Sequence, residues 1–425
     1  MYWKQFVPHL QALLAQFDAS PALVADEVLA QYRRAHAELG ARDRAQLADA
    51  FFAVLRQRGL WSAWVSSAGE PAPGEGLALL AAHHLGWSEM LADCAPAQQQ
   101  WLARACSQFE AGWGTLAQRL NLPDWLVDDL VSQGVSDIEA LAQSLNQAAP
   151  LDVRVNVHRA KRDKLMAEMR DQAWPAQPMV YSPWGLRLAQ RRSLKNTAWF
   201  ESGALEVQDE GSQLLAALVG AKRGETVVDF CAGAGGKTLA LGAMMRDQGR
   251  LMAMDVSAAR LAAMAPRLQR AGLRSVYTMA LSDEGDARLQ AWRGKAQRVL
   301  VDAPCSGLGT LRRSPELKWR LQAADISAYA TRQRQILESA ARLVQPGGRL
   351  VYATCSLLRD ENEEVAEAFG LQHPMFVPVA AHEALASTVK SPELRAQLCA
   401  DPYLRLWPHV HGTDGFFAAV WQRVD

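Results

Sequence analysis

Hydrophobic spacing changes character along the chain. Up to about residue 120 apolar positions recur every three or four residues: Leu10, Leu13, Leu14 and Phe17 share one helical face, and Leu47, Phe51, Val54 and Leu55 another. Two prolines and two glycines in Pro71-Ala72-Pro73-Gly74-Glu75-Gly76 punctuate that pattern and predict a loop. A linker is expected at Ser144 to Pro150, where Asn146-Gln147-Ala148-Ala149-Pro150 breaks a helical pattern, and Leu151 to Asn156 reads as a strand. Beyond residue 200, short apolar, β-branched runs near 226, 251, 275, 299 and 350 alternate with helical stretches, the pattern of a mostly parallel, doubly wound α/β sheet. The expected segments are a helical domain over 1–120, linker helices with a small basic α/β subdomain over 121–200, and the main α/β domain over 201–425.

Composition adds boundaries. With 425 residues, 49% hydrophobic and 21% charged, the chain suits a soluble protein of two or three domains. No run approaches the roughly 20 apolar residues of a membrane helix, and Lys4 and His9 interrupt the N-terminus, so neither a membrane partner nor a signal peptide is expected. The six cysteines show no Cys-x-x-Cys spacing, so no metal or disulfide frame is expected, and free thiols suit a reducing cytoplasm. Cys94, Cys106 and Cys399 read as small buried hydrophobes.

The formal net charge of zero hides an asymmetry. Residues 1–150 carry 9 basic against 16 acidic side chains, residues 151–200 carry 10 against 4. Arg154, Arg159, Lys161, Arg162, Lys164, Arg191, Arg192 and Lys195 interleave with Trp174, Tyr181, Trp184 and Trp199. Such a mixture suits phosphate contacts and base stacking on single-stranded or looped RNA, the alternative being a solvated basic face. A second basic stretch, Arg312, Arg313, Lys318 and Arg320, is expected to grip phosphates beside a flipped base.

Candidate chemistry lies at strand ends. Arg298-Val299-Leu300-Val301 runs into Asp302-Ala303-Pro304-Cys305-Ser306-Gly307, and Arg349-Leu350-Val351-Tyr352-Ala353 into Thr354-Cys355-Ser356. Ligands of open α/β sheets bind outside the carboxyl ends of the strands, so both thiols are expected in that crevice. After the strand Glu225 to Phe230 comes the turn Cys231-Ala232-Gly233-Ala234-Gly235-Gly236-Lys237-Thr238, with a helix from about Leu239. A Walker A loop is excluded because Cys231 stands where its first glycine belongs, and a dinucleotide fingerprint because Thr238 stands at its third. Asp255, 22 residues beyond Gly233 at the end of the next strand, is placed to accept ribose hydroxyls. Turn, acid and thiols together point to a nucleoside-type cofactor.

From Val207-Gln208-Asp209-Glu210-Gly211-Ser212-Gln213 through Thr354-Cys355-Ser356 to Asp414-Gly415-Phe416-Phe417, the chain resembles the RNA (cytosine-5) methyltransferases, and within them the bacterial small-subunit rRNA methyltransferase B family. The resemblance covers about residues 146–425, with Ala232-Gly233-Ala234 where many members have Ala-Ala-Pro. It implies a class I, Rossmann-like methyltransferase fold with an N-terminal all-helical domain, similar around Leu39 to Arg56 to the family's NusB-like extension, and an antiparallel edge strand over Gly415 to Trp421. It implies S-adenosylmethionine as cofactor, held by Cys231, Ala232, Gly233, Gly235, Gly236, Lys237, Asp255, Arg260, Asp283 and Asp302. It implies an RNA substrate, rRNA before tRNA, and a monomer. Arg260 also reads as a solvated charge, and Ser282-Asp283-Glu284 also as a helix N-cap.

Carbon 5 of cytosine is a poor nucleophile, so a thiolate must add at carbon 6 before methyl transfer, and a base must then remove the carbon 5 proton. Residue chemistry does not order the two cysteines. The resemblance implies Cys355 as nucleophile and Cys305 as releasing group, with Asp302 and Lys237 assisting. Two other readings remain: a DNA cytosine methyltransferase, which leaves Cys355 without a role, and a ribosome-assembly factor with a vestigial cofactor site.

Overall fold

The structure, a computed structural model, describes residues 1–68, 71–110, 112–190, 192–400 and 402–424. The chain divides into two compact units, one of residues 1–148 with 310–323, the other of 149–309 with 324–425.

The first unit is helical. Helices Trp3–Asp18, Ala25–Ala35, Ala41–Ala68, Pro73–His84 and Pro96–Glu110 bury the stripes read from the sequence, with Leu10, Leu13, Leu47 and Phe51 fully enclosed. The loop expected at 71–76 is shorter, because Pro73 opens a helix at its first turn, where a missing N–H costs nothing. Gly76 is helical because the helices approach closely: a Cβ there would stand 2.9 Å from Val65 Cγ2.

Residues 310–323 return to this unit, which the sequence did not suggest. Lys318 is 1% exposed, and its Nζ donates to the Arg56 carbonyl at 2.9 Å and to Asn146 Oδ1. Trp319 Nε1 donates to the Leu55 carbonyl at 2.7 Å, in space left by Gly59. Arg320 donates to the Ser20 and Leu23 carbonyls and covers the Phe17 ring. Arg312 is buried too. The basic stretch expected to grip phosphates is therefore largely built into the helical unit, since Lys318 and Arg320 point their donors at its carbonyls and not outward at a ligand.

In the second unit a small antiparallel sheet comes first, β1 (Leu151–Val155), β2 (Ala176–Pro178), β3 (Gly185–Leu188) and β4 (Leu205–Val207), in the order β2-β3-β1-β4. Its core takes Trp174 and Trp199, which meet edge to face, and Arg154 is buried against Gln208. The aromatic residues expected to stack on bases are thus mostly packing residues. Lys161, Lys164, Arg192 and Lys195 remain exposed, while Arg191 lies outside the described residues.

The main sheet contains β5 (Thr226–Asp229), β6 (Arg250–Asp255), β7 (Val276–Ala280), β8 (Ala296–Asp302), β9 (Val344–Thr354), β10 (Phe376–Pro378), β11 (Cys399–Ala400), β12 (Tyr403–Leu406) and β13 (Phe416–Arg423). Its order is β7-β6-β5-β8-β9-β13-β12-β11, with β10 also on β13. Strands β5 to β9 pair in parallel. Alternate residues serve opposite faces, as a strand's period of two requires: Val228, Val299, Val301 and Tyr352 pack toward helices Ala323–Ala341 and Glu363–Gln372, Val227, Leu300 and Val351 toward Glu210–Val219 and Gly236–Met244. This is the doubly wound class I methyltransferase sheet. β13 is antiparallel but not at the edge, because β12 continues the sheet beyond it. Those outer strands are too short to show a period of two in the sequence.

Candidate active site

From β5 the chain winds outward through β6 and β7, then crosses to β8 and β9 on the other side, so the strand order reverses between β5 and β8. Crevices at such a reversal, at the carboxyl ends of the strands, hold ligands in open α/β sheets. Cys231, Asp255, Asp302 and Cys355 all stand at or just past those ends.

The turn after β5 is shaped by two glycines. Gly233 (φ 53°) and Gly235 (φ 89°) adopt left-handed backbone, and Gly235 caps the helix Gly236–Met244. A Cβ at Gly235 would lie 2.5 Å from Met264 Cγ. Asp255 is 6% exposed, its Oδ2 accepting the Gly233 N–H and its Oδ1 the Ser257 N–H, each at 2.8 Å. The acid at the end of β6 thereby fixes the turn, and each oxygen keeps a lone pair for a hydroxyl.

The sequence marks Asp229 only as part of a strand. It is fully buried, Oδ2 accepts the Thr238 hydroxyl at 2.6 Å, and Oδ1 has no partner. Burial pushes this carboxyl up to about 7. An unpaired buried oxygen beside a glycine turn fits a ligand donor. The sequence signal was available: an acid ending a β-branched strand directly before a Gly-rich turn.

A folded pKa raised above the unfolded one means that the group's stability contribution is complete below about pH 4 and is lost as pH rises toward 7. In the cofactor-free protein, Asp229→Asn should therefore remove part of the fall in stability between about pH 4 and 7. Melting temperatures of both proteins across that range test this; parallel curves would show that Asp229 does not titrate there.

The thiols meet. Cys305 Sγ and Cys355 Sγ are 3.3 Å apart, and the Cys355 N–H donates to Cys305 Sγ at 3.3 Å. Among the described residues no cysteine is in a disulfide. The hydrogen bond to Cys355 and burial hold the Cys305 thiol well above its ordinary range. Asp302 Oδ2 accepts from Lys237 Nζ at 2.6 Å. Burial pulls that ammonium down, but the charge of Asp302 and its hydrogen bond outweigh it, so Lys237 stays protonated. Burial raises the Cys231 thiol far above normal.

Distant motifs close the site. The Cys355 carbonyl accepts the Gly309 N–H and the Gly309 carbonyl the Gly415 N–H, both at 2.8 Å, so tightly that a Cβ on Gly309 would lie 2.2 Å from the Gly415 oxygen. Asp209 Oδ1 accepts the Asp414 N–H at 3.0 Å. Arg260 is exposed with its guanidinium over Gly233. Asp283 is exposed two residues past Leu281, whose N–H binds the Asp255 carbonyl; its Oδ1 accepts the Gly285 N–H, and the cap of the following 3-10 helix is Asp286, not the Ser282 to Glu284 segment.

A model of the 16S rRNA methyltransferase RsmB/F family matches residues 216–422, and one of the RsmF/B-like ferredoxin-like domain matches residues 122–195. The probable ribosomal RNA small subunit methyltransferase B of Synechocystis is 34% identical over 311 residues, 72% of this chain and 67% of that protein. The chain belongs to the RsmB/F family. The ribosomal RNA small subunit methyltransferase B of Erwinia tasmaniensis is 32% identical over 322 residues, 73% of this chain and 70% of that one. A solved methyltransferase homolog protein from Pyrococcus horikoshii matches 72% of the chain and 97% of its own length at 26% identity with a TM-score of 0.61.

The RsmB/F cofactor is S-adenosylmethionine, and the residues here fit it: an unpaired buried Asp229 oxygen, a turn in which Gly235 leaves no room for a Cβ, and an Asp255 carboxylate with lone pairs to spare. Asp255→Ala should weaken S-adenosylmethionine binding by about 1.5 to 3 kcal/mol, roughly 10- to 150-fold. Titration calorimetry on the folded variant reads this directly, and an unchanged Kd would remove Asp255 from the site. Among the described residues no helix is long and apolar enough to cross a membrane.

Proposed function

We propose that this chain methylates carbon 5 of a cytosine in small-subunit rRNA through a covalent cysteine adduct. The observation that carries the reading is the pair of free thiols 3.3 Å apart, at the ends of adjacent parallel strands beside the cofactor turn. Two sulfurs at that distance suit two adjacent ring carbons of one base.

S-adenosylmethionine supplies an electrophilic methyl group. Cys355 adds as thiolate to carbon 6 and raises electron density at carbon 5. The raised Cys305 thiol supports this order, because Cys305 keeps its proton and shares it with Cys355. That hydrogen bond is lost once Cys355 Sγ is bonded to carbon, so Cys305 then releases its proton to solvent more readily, and its thiolate takes the proton from methylated carbon 5 as the Cys355 sulfur–carbon 6 bond breaks and Cys355 leaves as thiolate. Lys237, held protonated by Asp302, favours negative charge on the thiol pair, and Asp302 is the hydrogen-bonding group for the polar edge of the base. Asp255 and the Cys231–Lys237 turn hold the cofactor, with Arg260 and Asp283 at its margin. Lys161, Lys164, Arg192 and Lys195 supply phosphate contacts.

Incubation with S-adenosylmethionine and unmodified small-subunit rRNA, followed by bisulfite sequencing, should show one cytosine newly protected. Methylation of tRNA alone would move the substrate to tRNA, and no protected cytosine in either RNA would overturn cytosine methylation.

A further inference from the structure

Behind the two thiols lies a carboxylate that the chemistry above does not use. Glu361 is fully buried in a short 3-10 turn, Arg359–Glu361, beyond β9. Its Oε1 accepts the Ser306 N–H at 2.8 Å and Gln333 Nε2 at 3.0 Å. Its Oε2 accepts the Ser306 hydroxyl at 2.5 Å and the Ser356 hydroxyl. Ser306 follows Cys305 and Ser356 follows Cys355, so one carboxylate grips the residue after each thiol.

The neighbours extend the clamp. Gln333 Nε2 also donates to the Pro304 carbonyl at 3.0 Å, so Cys305 is held from both sides. Tyr352 donates its hydroxyl to the Glu361 carbonyl at 2.5 Å. Asn362 accepts from the Thr354 hydroxyl and donates to the Ser356 carbonyl at 3.1 Å, fixing both neighbours of Cys355. A buried carboxylate is costly unless its lone pairs are filled, and four donors fill these. The same charge makes the bonds short and directional, which a neutral core residue would not do.

We propose that Glu361 is the positioning residue of the two-thiol centre: by binding both post-cysteine serines it sets the Cys305–Cys355 separation at which one thiol adds to a base and the other releases it. This rests on the reading of the two cysteines as attacking and releasing groups. Glu361 touches neither sulfur nor base, and it acts through the two loops. Displacing a reacting group by about 1 Å costs on the order of a hundredfold in rate, so loosening the clamp shows in turnover and not in binding.

Two measurements on the full chain test this. In the first, without RNA or cofactor, the protein is equilibrated in a glutathione buffer, where oxidation of the two thiols to the Cys305–Cys355 disulfide is balanced by reduction of one glutathione disulfide to two glutathiones. Peptide mapping gives the equilibrium constant, which depends on how the fold holds the sulfurs. Glu361→Gln should shift it about tenfold or more, and an unchanged constant overturns the proposal. In the second, Glu361→Gln should lower kcat about 10- to 100-fold, leaving KM for RNA and the S-adenosylmethionine Kd within about twofold. Unchanged kcat, or a loss confined to KM, overturns it. If Glu361→Gln does not fold, the double variant Ser306→Ala with Ser356→Ala must give the same two results, since it removes the hydroxyl donors and leaves the carboxylate. A wild-type protein that methylates no cytosine defeats the reading of the thiols, while the glutathione equilibrium still decides Glu361.

Discussion

Cys355→Ala should abolish methyl transfer, a loss of about a thousandfold or more, and the RNA should run free on denaturing gels, because no sulfur is left to bond carbon 6. Cys305→Ala should behave differently. Addition and methyl transfer can proceed, elimination is slowed, and a protein–RNA band should survive denaturation. The 3.3 Å between the sulfurs makes the contrast sharp, since each thiol is within reach of the same base and only their roles differ. The alanine at 305 also removes the sulfur contact on Cys355. An adduct trapped in Cys355→Ala would exchange the roles, and adducts in neither variant would remove covalent catalysis.

Lys318→Ala should destabilise the helical unit by about 2 to 4 kcal/mol. Its amino group is enclosed and donates to the Arg56 carbonyl and to Asn146 Oδ1, and truncation removes both bonds and takes from Asn146 Oδ1 the donor it has here. Asn146 in turn donates to the Leu120 and Ala142 carbonyls, so its orientation depends on the same contact. Lys318→Met should recover part of the loss by refilling the stem's volume, though not the hydrogen bonds. Urea denaturation of the two variants, compared with exposed Lys195→Ala as a control, reads these values. Equal stability of Lys318→Ala and wild type would mean that residues 310–323 are not integral to the helical unit.

The site's local pieces are legible in the sequence. Short apolar, β-branched runs at Val227 to Val228, Val299 to Val301 and Leu350 to Tyr352, each bounded by turn residues, announce buried strands, and glycines at 233 and 235 announce a left-handed turn, because backbone preference acts within a few residues. Topology then puts whatever ends those strands into one crevice, so Asp255, Asp302, Cys305 and Cys355 were legible as a group. The helical stripes of Leu10 to Phe17 and Leu47 to Leu55 were legible through their spacing of three and four residues.

Which charges stay exposed and which are built in depends on contacts between distant parts of the chain. Lys318 and Arg320 look in sequence like Arg192 and Lys195, yet the first two are engaged by carbonyls more than 100 positions away. Charge announces what a side chain can bind, not whether the fold has already supplied the partner. Asp209 meeting Asp414, Gly309 wedged against Gly415 and Glu361 joining the two serines are likewise long-range packing events, invisible to local periodicity. The unpaired oxygen of Asp229 belongs with them, because burial and the absence of a donor are properties of the surrounding fold and not of the aspartate.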